Sequence, residues 1–595
     1  MMRNTNLINA KIIAVSVPLL TIYMLLNMYL GINFGWGFSY SIITLAIGSM
    51  IFRKHYKNKM HLITALLCLS ILTSPFGFWW PLAILVIIRL FEPNSLPTWA
   101  IPSLEVLLNG VSSEWILPII FNLAFLVLGV VAGFSLGLII ADDYLKYDLP
   151  YPHQKVFVNT LRAFVGGNTE SGLVLKFLVI GIVIVFIQFS LSFLGVNLIS
   201  YDFTPLLFAG ASFAISFNLG LLAIGYIIPP RISVTMFVAS LFTYLVIGPI
   251  AASFGIFTPG ITEYENWSKL VFSIMLIFGL GAFLLGDVIS MLLKKIIKRH
   301  SSTVSKAEYK SVSLIDYVNL IKNGLRRNKF VSIVFISSLI GLALLCVVLN
   351  IFGINMYLQI LLITYLLIAS VIIDSYLIAK MNFETGISSG MHHFLLYTIP
   401  VFVAGCRKYL GYIYPPTISW DTTYILSEFK IGDMLKVNRK TILLAIIINT
   451  LLSILLSIVL FLIIWYGIGF PSQTMPAVNV LLTYSIFRAL VNGTLPIAPK
   501  ISLELTILLF FLGGIIASIF SLLGVSVTGF AIGVLMPPSM TFMFGIGGLL
   551  RIFSDYKFGK DWFNKRGQYV ASGFMAGALT TFIILSIVFR ILSLI

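Results

Sequence analysis

Two aspartates stand inside long apolar stretches of the sequence and could carry a proton. Asp374 lies in Ile372-Ile373-Asp374-Ser375-Tyr376, and Asp287 lies near the end of an apolar run at 270–293. A charge at the centre of a bilayer costs at least about 2.5–3.5 kcal/mol, so a residue that brings one is a functional candidate. The sequence predicts proton coupling through Asp374 and Asp287. The alternative for each is a buried ion pair or a place at a helix end, and Lys294 is close to Asp287 in sequence.

Two arginines begin similar short segments and could bind a carboxylate. The segments read Arg162-Ala163-Phe164-Val165-Gly166-Gly167 and Arg488-Ala489-Leu490-Val491-Asn492-Gly493. A guanidinium binds a carboxylate through two parallel hydrogen bonds, which suits the terminus of a peptide or the acid groups of a chelate. We therefore predict that Arg162 and Arg488 bind substrate. The alternative is that each arginine marks the cytoplasmic end of a helix.

The pair His392-His393 follows Glu384 and could contribute to a metal site. Neighbouring histidines on a helix point in different directions, however, and no third histidine is near in sequence. The three cysteines are far apart in apolar segments. No Gly-x-x-x-x-Gly-Lys-Ser/Thr segment is present to bind the phosphates of ATP. We therefore predict no metal site, no cofactor and no direct use of ATP.

Two short sequence motifs each occur twice, in the same order in both halves of the chain. The octapeptides at 223–230 and 531–538 both begin with Ala-Ile-Gly and end with Pro-Pro, at an offset of 531 − 223 = 308 residues. The two arginine segments recur upstream of them at an offset of 488 − 162 = 326 residues, which indicates an internal duplication. Each Pro-Pro pair should break a helix, and paired broken helices in two halves are typical of a transporter's substrate site. The predicted substrate-binding residues at the breaks are Gly225, Pro229, Pro230, Gly533, Pro537 and Pro538.

The composition predicts an all-α polytopic membrane protein. Hydrophobic residues make up 59% of the chain and charged residues only 10%, whereas about 25% is usual in soluble proteins. The net charge of +17 does not indicate nucleic acid, because the basic residues separate apolar runs, as they do in cytoplasmic loops. At about 20 residues for each crossing, the runs predict about 14–16 transmembrane helices. The lipid bilayer is the expected partner, and nucleic acid is not.

The basic residues also predict the arrangement of the chain in the membrane. We divide it into a first transmembrane repeat at 1–293, a basic cytoplasmic linker at 294–330 and a second repeat at 331–595. The N-terminus should be cytoplasmic, since Arg3 and Lys11 precede the first apolar run. Taken literally, the charges make the two halves inverted relative to each other. The sequence leaves open whether the chain forms a homodimer.

Five further motifs, in this order, resemble those of the oligopeptide transporter (OPT) family. They are Asn27-Met28-Tyr29-Leu30-Gly31-Ile32-Asn33-Phe34-Gly35, Leu149-Pro150-Tyr151-Pro152, Glu428-Phe429-Lys430-Ile431-Gly432, the second Pro-Pro pair, and Gly547-Gly548-Leu549-Leu550-Arg551. The resemblance covers nearly the whole chain. It implies a secondary active, proton-coupled symporter of the cell membrane that carries oligopeptides or peptide-like metal chelates.

The chain also departs from the family pattern. The Asn-Pro-Gly-Pro-Phe-Asn motif of the eukaryotic peptide branch is absent, which argues against a peptide substrate but not against transport. The resemblance is to a prokaryotic or archaeal type of member. Where the last helix of the family carries Gly followed by an acid, this chain has Gly577-Ala578. The alternative function is a polytopic membrane enzyme such as a lipid-linked transferase. Such an enzyme would be expected to carry a carboxylate-rich loop or a soluble domain, and the predicted external loops are short.

Overall fold

The structure, a computed structural model, describes residues 10–34, 41–166, 169–194, 200–298, 312–387, 390–494, 503–559 and 561–592. Parts of three predicted features lie outside the described residues. These parts are the middle of the linker at 299–311, Gly35 of the first family motif, and Gly167 of the first arginine segment.

The chain folds into α-helices of very different lengths. The helices of the first half are α1 Ala10–Phe34, α2 Ser41–Phe52, α3 Lys59–Leu72, α4 Trp80–Phe91, α5 Leu104–Asn109, α6 Ile116–Tyr144, α7 Pro152–Val165, α8 Thr169–Phe193, α9 Leu219–Ile227, α10 Pro230–Phe242, α11 Gly248–Ser253, α12 Glu263–Leu270 and α13 Leu276–Lys298. The remaining helices are α14 Leu314–Arg327, α15 Lys329–Val348, α16 Met356–Ile368, α17 Ser375–Thr385, α18 Met391–His393, α19 Ile399–Val403, α20 Tyr409–Ile413, α21 Ser419–Leu435, α22 Arg439–Gly467, α23 Val478–Val491, α24 Leu503–Leu522, α25 Val527–Leu535, α26 Pro538–Phe558 and α27 Gln568–Leu592.

Other secondary structure is short. One antiparallel hairpin joins β1 (Ser200–Asp202) to β2 (Ala214–Ser216), with Tyr201 opposite Ile215. Two 3₁₀ turns lie at Ser113–Trp115 and Thr204–Leu206. Five π-helical turns interrupt or precede helices, at Thr243–Ile247, Val271–Met275, Ala369–Asp374, Phe394–Thr398 and Phe563–Gly567. Such turns are rare and frequently occur at functional sites.

The helix lengths confirm the predicted class of all-α polytopic membrane protein. Within the described part of the chain, nine helices are long and apolar enough to cross a membrane, and five shorter apolar helices accompany them. The apolar residues between 61 and 90 form two helices with different neighbours: α3 contacts α1, α2, α7 and α22, whereas α4 contacts α1, α5 and α23. α21 and α23 are also elements of the bundle: α21 packs against α6, α7, α17 and α22, and α23 packs against α1, α4 and α20.

The two halves of the chain share one core. α13 packs along α24 and α8 packs along α27, so each pair joins elements from both halves. Glycines let the first pair approach closely. A Cβ atom at Gly281 would lie 1.9 Å from the carbonyl oxygen of Phe510, and one at Gly513 would lie 2.0 Å from that of Phe278. Small residues at helix crossings are typical of membrane proteins, where backbone proximity replaces a hydrophobic driving force.

Part of the predicted linker is folded against the bundle. α14 is amphipathic, and the ring of Tyr317 on its apolar face is fully buried. A Cβ atom at Gly324 would lie 2.2 Å from the carbonyl oxygen of Ile139, so α14 is held directly against α6. Arg327 at the end of α14 forms an ion pair with Asp143 at 2.9 Å. The linker therefore includes a packed helix and is more than a connection.

Candidate functional site: two helix breaks and a buried aspartate–histidine cluster

The structure has a helix break at each Pro-Pro pair. α9 ends at Ile227 and α10 begins at Pro230, while α25 ends at Leu535 and α26 begins at Pro538. Proline lacks an amide hydrogen and cannot continue the preceding helix, but it is well suited to the first position of the next. The breaks thus follow from local sequence.

The two broken helices pack directly against each other. A Cβ atom at Gly225 would lie 2.3 Å from the carbonyl oxygen of Phe544, and one at Gly533 would lie 2.4 Å from that of Met236. The two contacts are related by one offset, since 533 − 225 and 544 − 236 are both 308. The glycine in each half therefore receives the backbone of the helix that follows the other break.

Side chains from elsewhere in the bundle stabilise the second break. Its free carbonyl groups accept three hydrogen bonds, from Tyr244 to Val534 at 2.8 Å, from Trp267 to Leu535 at 2.9 Å and from Ser240 to Met536 at 2.8 Å. The carboxylate of Glu263 accepts a hydrogen bond from the amide of Ser539 at 2.8 Å. An anion is favourable there because the first turn of a helix presents free amides and the positive end of its dipole. Hydrogen bonds from fixed side chains of the bundle thus stabilise the helix break at Pro537-Pro538.

A cation stabilises the first break. The Arg551 guanidinium donates to the carbonyl oxygens of Ile227 at 3.0 Å and Ile228 at 3.4 Å. These carbonyl groups end α9, where cations are favourable. The Gly-Gly-x-x-Arg motif therefore has a structural role: Gly547 and Gly548 allow α26 to approach α9 and α10, and Arg551 then reaches the break.

The cavity beside the breaks is small. It has a volume of ≈ 40 Å³ and is lined by apolar side chains, among them Leu535 and Met536 at the second break, together with His392. Ligand pockets are typically about 300–1,000 Å³, so this cavity cannot hold a peptide in the conformation described. None of the six break residues predicted to bind substrate lines this cavity. Their substrate contact remains a prediction.

Asp374 is fully buried at the centre of a hydrogen-bond cluster. It is the last residue of the π-helical turn at Ala369–Asp374, and its side chain has no exposed surface. Oδ1 lies 2.5 Å from Nε2 of His392 and 3.0 Å from Nε2 of His393. Oδ2 accepts hydrogen bonds from the hydroxyls of Tyr397 at 2.7 Å and Ser419 at 2.6 Å. The carboxylate thus joins α17 to the segment that begins at α18 and to the start of α21.

The two histidines meet at this aspartate. Their ring centroids are 4.7 Å apart, and Asp374 Oδ1 lies within hydrogen-bonding distance of both rings. His392 is buried, whereas about a quarter of the His393 side chain is exposed beside Trp420. One ligand atom each from Asp374, His392 and His393 lie within 4.8 Å of one another, as a metal site would require. Hydrogen bonding already accounts for this arrangement.

Asp287 is paired with a lysine that is 93 residues away in sequence. Lys380 Nζ contacts Asp287 Oδ2 and lies 3.1 Å from the Tyr376 hydroxyl, and the lysine is fully buried. The side chain of Lys294, the lysine near Asp287 in sequence, lies outside those described. One turn after Lys380, the buried Glu384 accepts a hydrogen bond from Thr528 at the start of α25. The spacing Tyr376, Lys380, Glu384 could have indicated this polar helix face.

The two arginines predicted to bind substrate do not share one site. Arg162 donates to the carbonyl oxygen of Met434 at 2.8 Å. Arg488 lies 3.3 Å from Glu92, a carboxylate that also accepts from Tyr484 at 3.0 Å. Each guanidinium is partly exposed, but each contacts a different part of the bundle. In the structure they therefore do not bind the same carboxylate. Substrate binding by Arg162 or by Arg488 remains a prediction.

Two of the family motifs meet in the structure. Lys430 of the motif at 428–432 lies over the ring of Tyr151, with Nζ 4.3 Å from the ring centroid. Its ammonium also donates to the carbonyl oxygen of Leu145 at 3.1 Å. The amide of Tyr151 donates to Phe383 at the end of α17, so α7, α17 and α21 are fixed to one another. The motifs thus position the helices that carry the aspartate–histidine cluster.

The comparisons with known proteins agree with this architecture. The family model described as OPT oligopeptide transporter protein matches residues 8–589. No curated protein matches the chain. The family consists of membrane transporters and not of enzymes, which sets aside the alternative of a lipid-linked transferase. Because the match extends over nearly the whole sequence, the chain belongs to the OPT family of oligopeptide transporters.

Proposed function

We propose that the chain is a secondary active symporter in the cell membrane that couples proton movement to the transport of oligopeptides or peptide-like metal chelates. One observation carries the proposal. His392 contacts the buried carboxylate of Asp374 with one side of its ring and lines the cavity beside the second helix break. A group that can gain a proton is therefore in contact with the predicted substrate region.

The cluster has the chemistry that a proton-binding site needs. A carboxylate and two imidazoles can hold one additional proton between them, and the carboxylate stabilises an imidazolium formed there. Gaining or losing that proton changes the hydrogen bonds that tie α17, α18 and α21 together. Moving one charge across the membrane is worth about 2.3 kcal/mol per 100 mV, a useful fraction of a substrate gradient.

Asp287 is the second proton-coupling candidate, and its surroundings make it the weaker one. Its carboxylate contacts the ammonium of the fully buried Lys380, so protonation of Asp287 would leave a buried cation without its counter-charge. Removing one member of a buried ion pair typically costs about 3–5 kcal/mol. Asp374 has neutral hydroxyl donors and titratable imidazoles in place of a fixed cation.

The reciprocal packing of the breaks supports two related halves, 1–293 and 331–595, joined through the linker at 294–330. In that packing Gly225 lies against α26 and Gly533 lies against α10. We propose that substrate binds where these breaks separate during transport. The N-terminus is assigned to the cytoplasm on the positions of the basic residues.

The test is uptake by purified protein in proteoliposomes. Radiolabelled trialanine and an iron–phytosiderophore complex are supplied separately, with an imposed pH gradient of either direction. We expect one substrate to accumulate against its concentration gradient, and a protonophore to abolish the accumulation. Accumulation that is indifferent to the protonophore would contradict proton coupling, and no accumulation of either compound would contradict the proposed substrates.

A further inference from the structure

The helix α21 carries three polar side chains on one face that the coupling cluster does not use. Asp421, Tyr424 and Glu428 are spaced by three and four residues, so they lie one above another over two turns, about 10 Å along the axis. α21 is enclosed by α6, α7, α17 and α22. All three residues are nevertheless partly exposed. The exposure of this face therefore indicates a cleft inside the bundle.

The two carboxylates in the cleft lack a counter-charge. Among the described residues, neither Asp421 nor Glu428 has a hydrogen-bond partner or a cation within 4 Å. The basic residues nearby on the chain are engaged elsewhere: Lys430 contacts Tyr151 and Leu145, and Arg439 forms ion pairs with Asp142 and Asp433.

The backbone of α6 fixes the position of the first carboxylate. A Cβ atom at Gly133 would lie 2.5 Å from the Cβ of Asp421, and one at Gly137 would lie 2.8 Å from the Cβ of Ile425. Glycine at these positions lets α21 approach α6 to backbone contact. Asp421 is therefore held on a rigid crossing of two helices and not on a loop.

An aromatic wall and an unpaired hydroxyl complete the cleft. The ring of Tyr424 packs edge-on against Phe76, in the interruption between α3 and α4, with centroids 5.4 Å apart. The Tyr424 hydroxyl is buried and has no hydrogen-bond partner within the described ranges. The polar residues beside it are Ser74 and Asn449, and the Asn449 amide donates to the carbonyl oxygen of Ser74 at 2.8 Å. An unpaired buried hydroxyl is costly, so the Tyr424 hydroxyl is available to donate to or accept from a bound ligand.

We propose that Asp421, Tyr424 and Glu428 bind the ammonium group of the transported peptide. Two unpaired carboxylates inside a membrane-spanning bundle cost free energy unless a cation binds between them. An ammonium offers three donors to carboxylate and hydroxyl oxygens, and aromatic faces attract cations. This inference rests on the proposed function and specifies its substrate: peptides with a free α-amino group or a lysine side chain.

The experiment compares peptides that differ only in ammonium groups. Purified protein is titrated with trialanine, N-acetyl-trialanine and N-acetyl-Ala-Lys-Ala, and binding is measured calorimetrically. We expect N-acetylation of trialanine to weaken binding at least ~10-fold, since a charge-assisted hydrogen bond is lost. Tight binding of N-acetyl-Ala-Lys-Ala would assign the site to lysine side chains, and weak binding would assign it to the α-amino group.

Variants then locate the effect in the cleft. Asp421→Asn and Glu428→Gln keep the shape of each side chain, so they should fold, and each should reduce the discrimination against N-acetyl-trialanine at least ~10-fold. Glu105→Gln, a matched change at an exposed carboxylate, should leave it unchanged. The inference is overturned if the wild type binds trialanine but both cleft variants keep full discrimination. Absence of trialanine binding and uptake in the wild type would instead contradict the proposed function.

Discussion

The substitution Asp374→Asn tests proton coupling with the least damage to the fold. Four hydrogen bonds end on the Asp374 carboxylate. Asp374→Ala would leave three buried donors, on His392, Tyr397 and Ser419, unpaired at about 1–3 kcal/mol each, or about 3–9 kcal/mol together. That loss is comparable with the whole stability of a typical domain, about 5–15 kcal/mol. Alanine therefore tests folding and not coupling.

Asparagine can retain all four contacts. Its oxygen accepts from His392 and His393, while its amide group donates to the hydroxyl oxygens of Tyr397 and Ser419, which can reverse their roles. The loss is then the difference between charged and neutral hydrogen bonds, about 1 kcal/mol for each of four. Part of this loss is offset because a buried charge has been removed. Asp374→Asn should therefore fold and bind substrate.

Asp374→Asn should abolish gradient-driven accumulation and leave substrate exchange intact. The neutral side chain resembles the permanently protonated carboxyl and cannot complete a proton cycle. The assay is trialanine uptake by proteoliposomes under a pH gradient, with counterflow measured in the same vesicles. Asp561→Asn is the matched control, because that carboxylate is 84% exposed. If Asp374→Asn still concentrates trialanine with unchanged pH dependence, Asp374 is structural and the reasoning fails.

Three further predictions concern the packing and topology. Gly225→Ala should destabilise the protein by about 1–3 kcal/mol, because its Cβ would overlap the backbone of α26; equal thermal stability of Gly225→Ala and Gly172→Ala, where there is open space, would contradict this. Lys380→Met should cost about 3–5 kcal/mol by removing the cation paired with Asp287, and adding Asp287→Asn should restore part of that stability; a single variant as stable as wild type in a thermal melt would refute it. Lys322→Cys should react with a membrane-impermeant maleimide only from the cytoplasmic side, and labelling solely from outside would reverse the assigned topology.

The packing contacts also explain why conservative changes at glycine should be severe in this chain. At Gly281, Gly513, Gly225 and Gly533 the neighbour is a backbone carbonyl group, which cannot move aside as a flexible side chain can. These positions lie where elements of the two halves cross. Stability and the position of the breaks are therefore coupled, since both depend on the same close crossings.

Local sequence determined the class of the protein and the places where its helices break. Hydropathy is a sum over neighbouring residues, so the apolar runs predicted the membrane-spanning helices without knowledge of their partners. The breaks at Pro229-Pro230 and Pro537-Pro538 were likewise predictable, because proline acts on its own turn and the one before it. The family motifs could also be identified in the sequence, although the contacts that explain them could not be predicted from it.

Only the tertiary structure decided which polar groups meet. Asp374 finds His392, His393, Tyr397 and Ser419 from three segments, through two π-helical turns that no periodicity indicated. Asp287 pairs with Lys380 across 93 residues, although Lys294 was close in sequence. Helix direction and depth in the bundle fix such contacts, and neither is encoded within one helical turn. The same reason hid the cleft of α21, because only the surrounding helices make its acidic face internal.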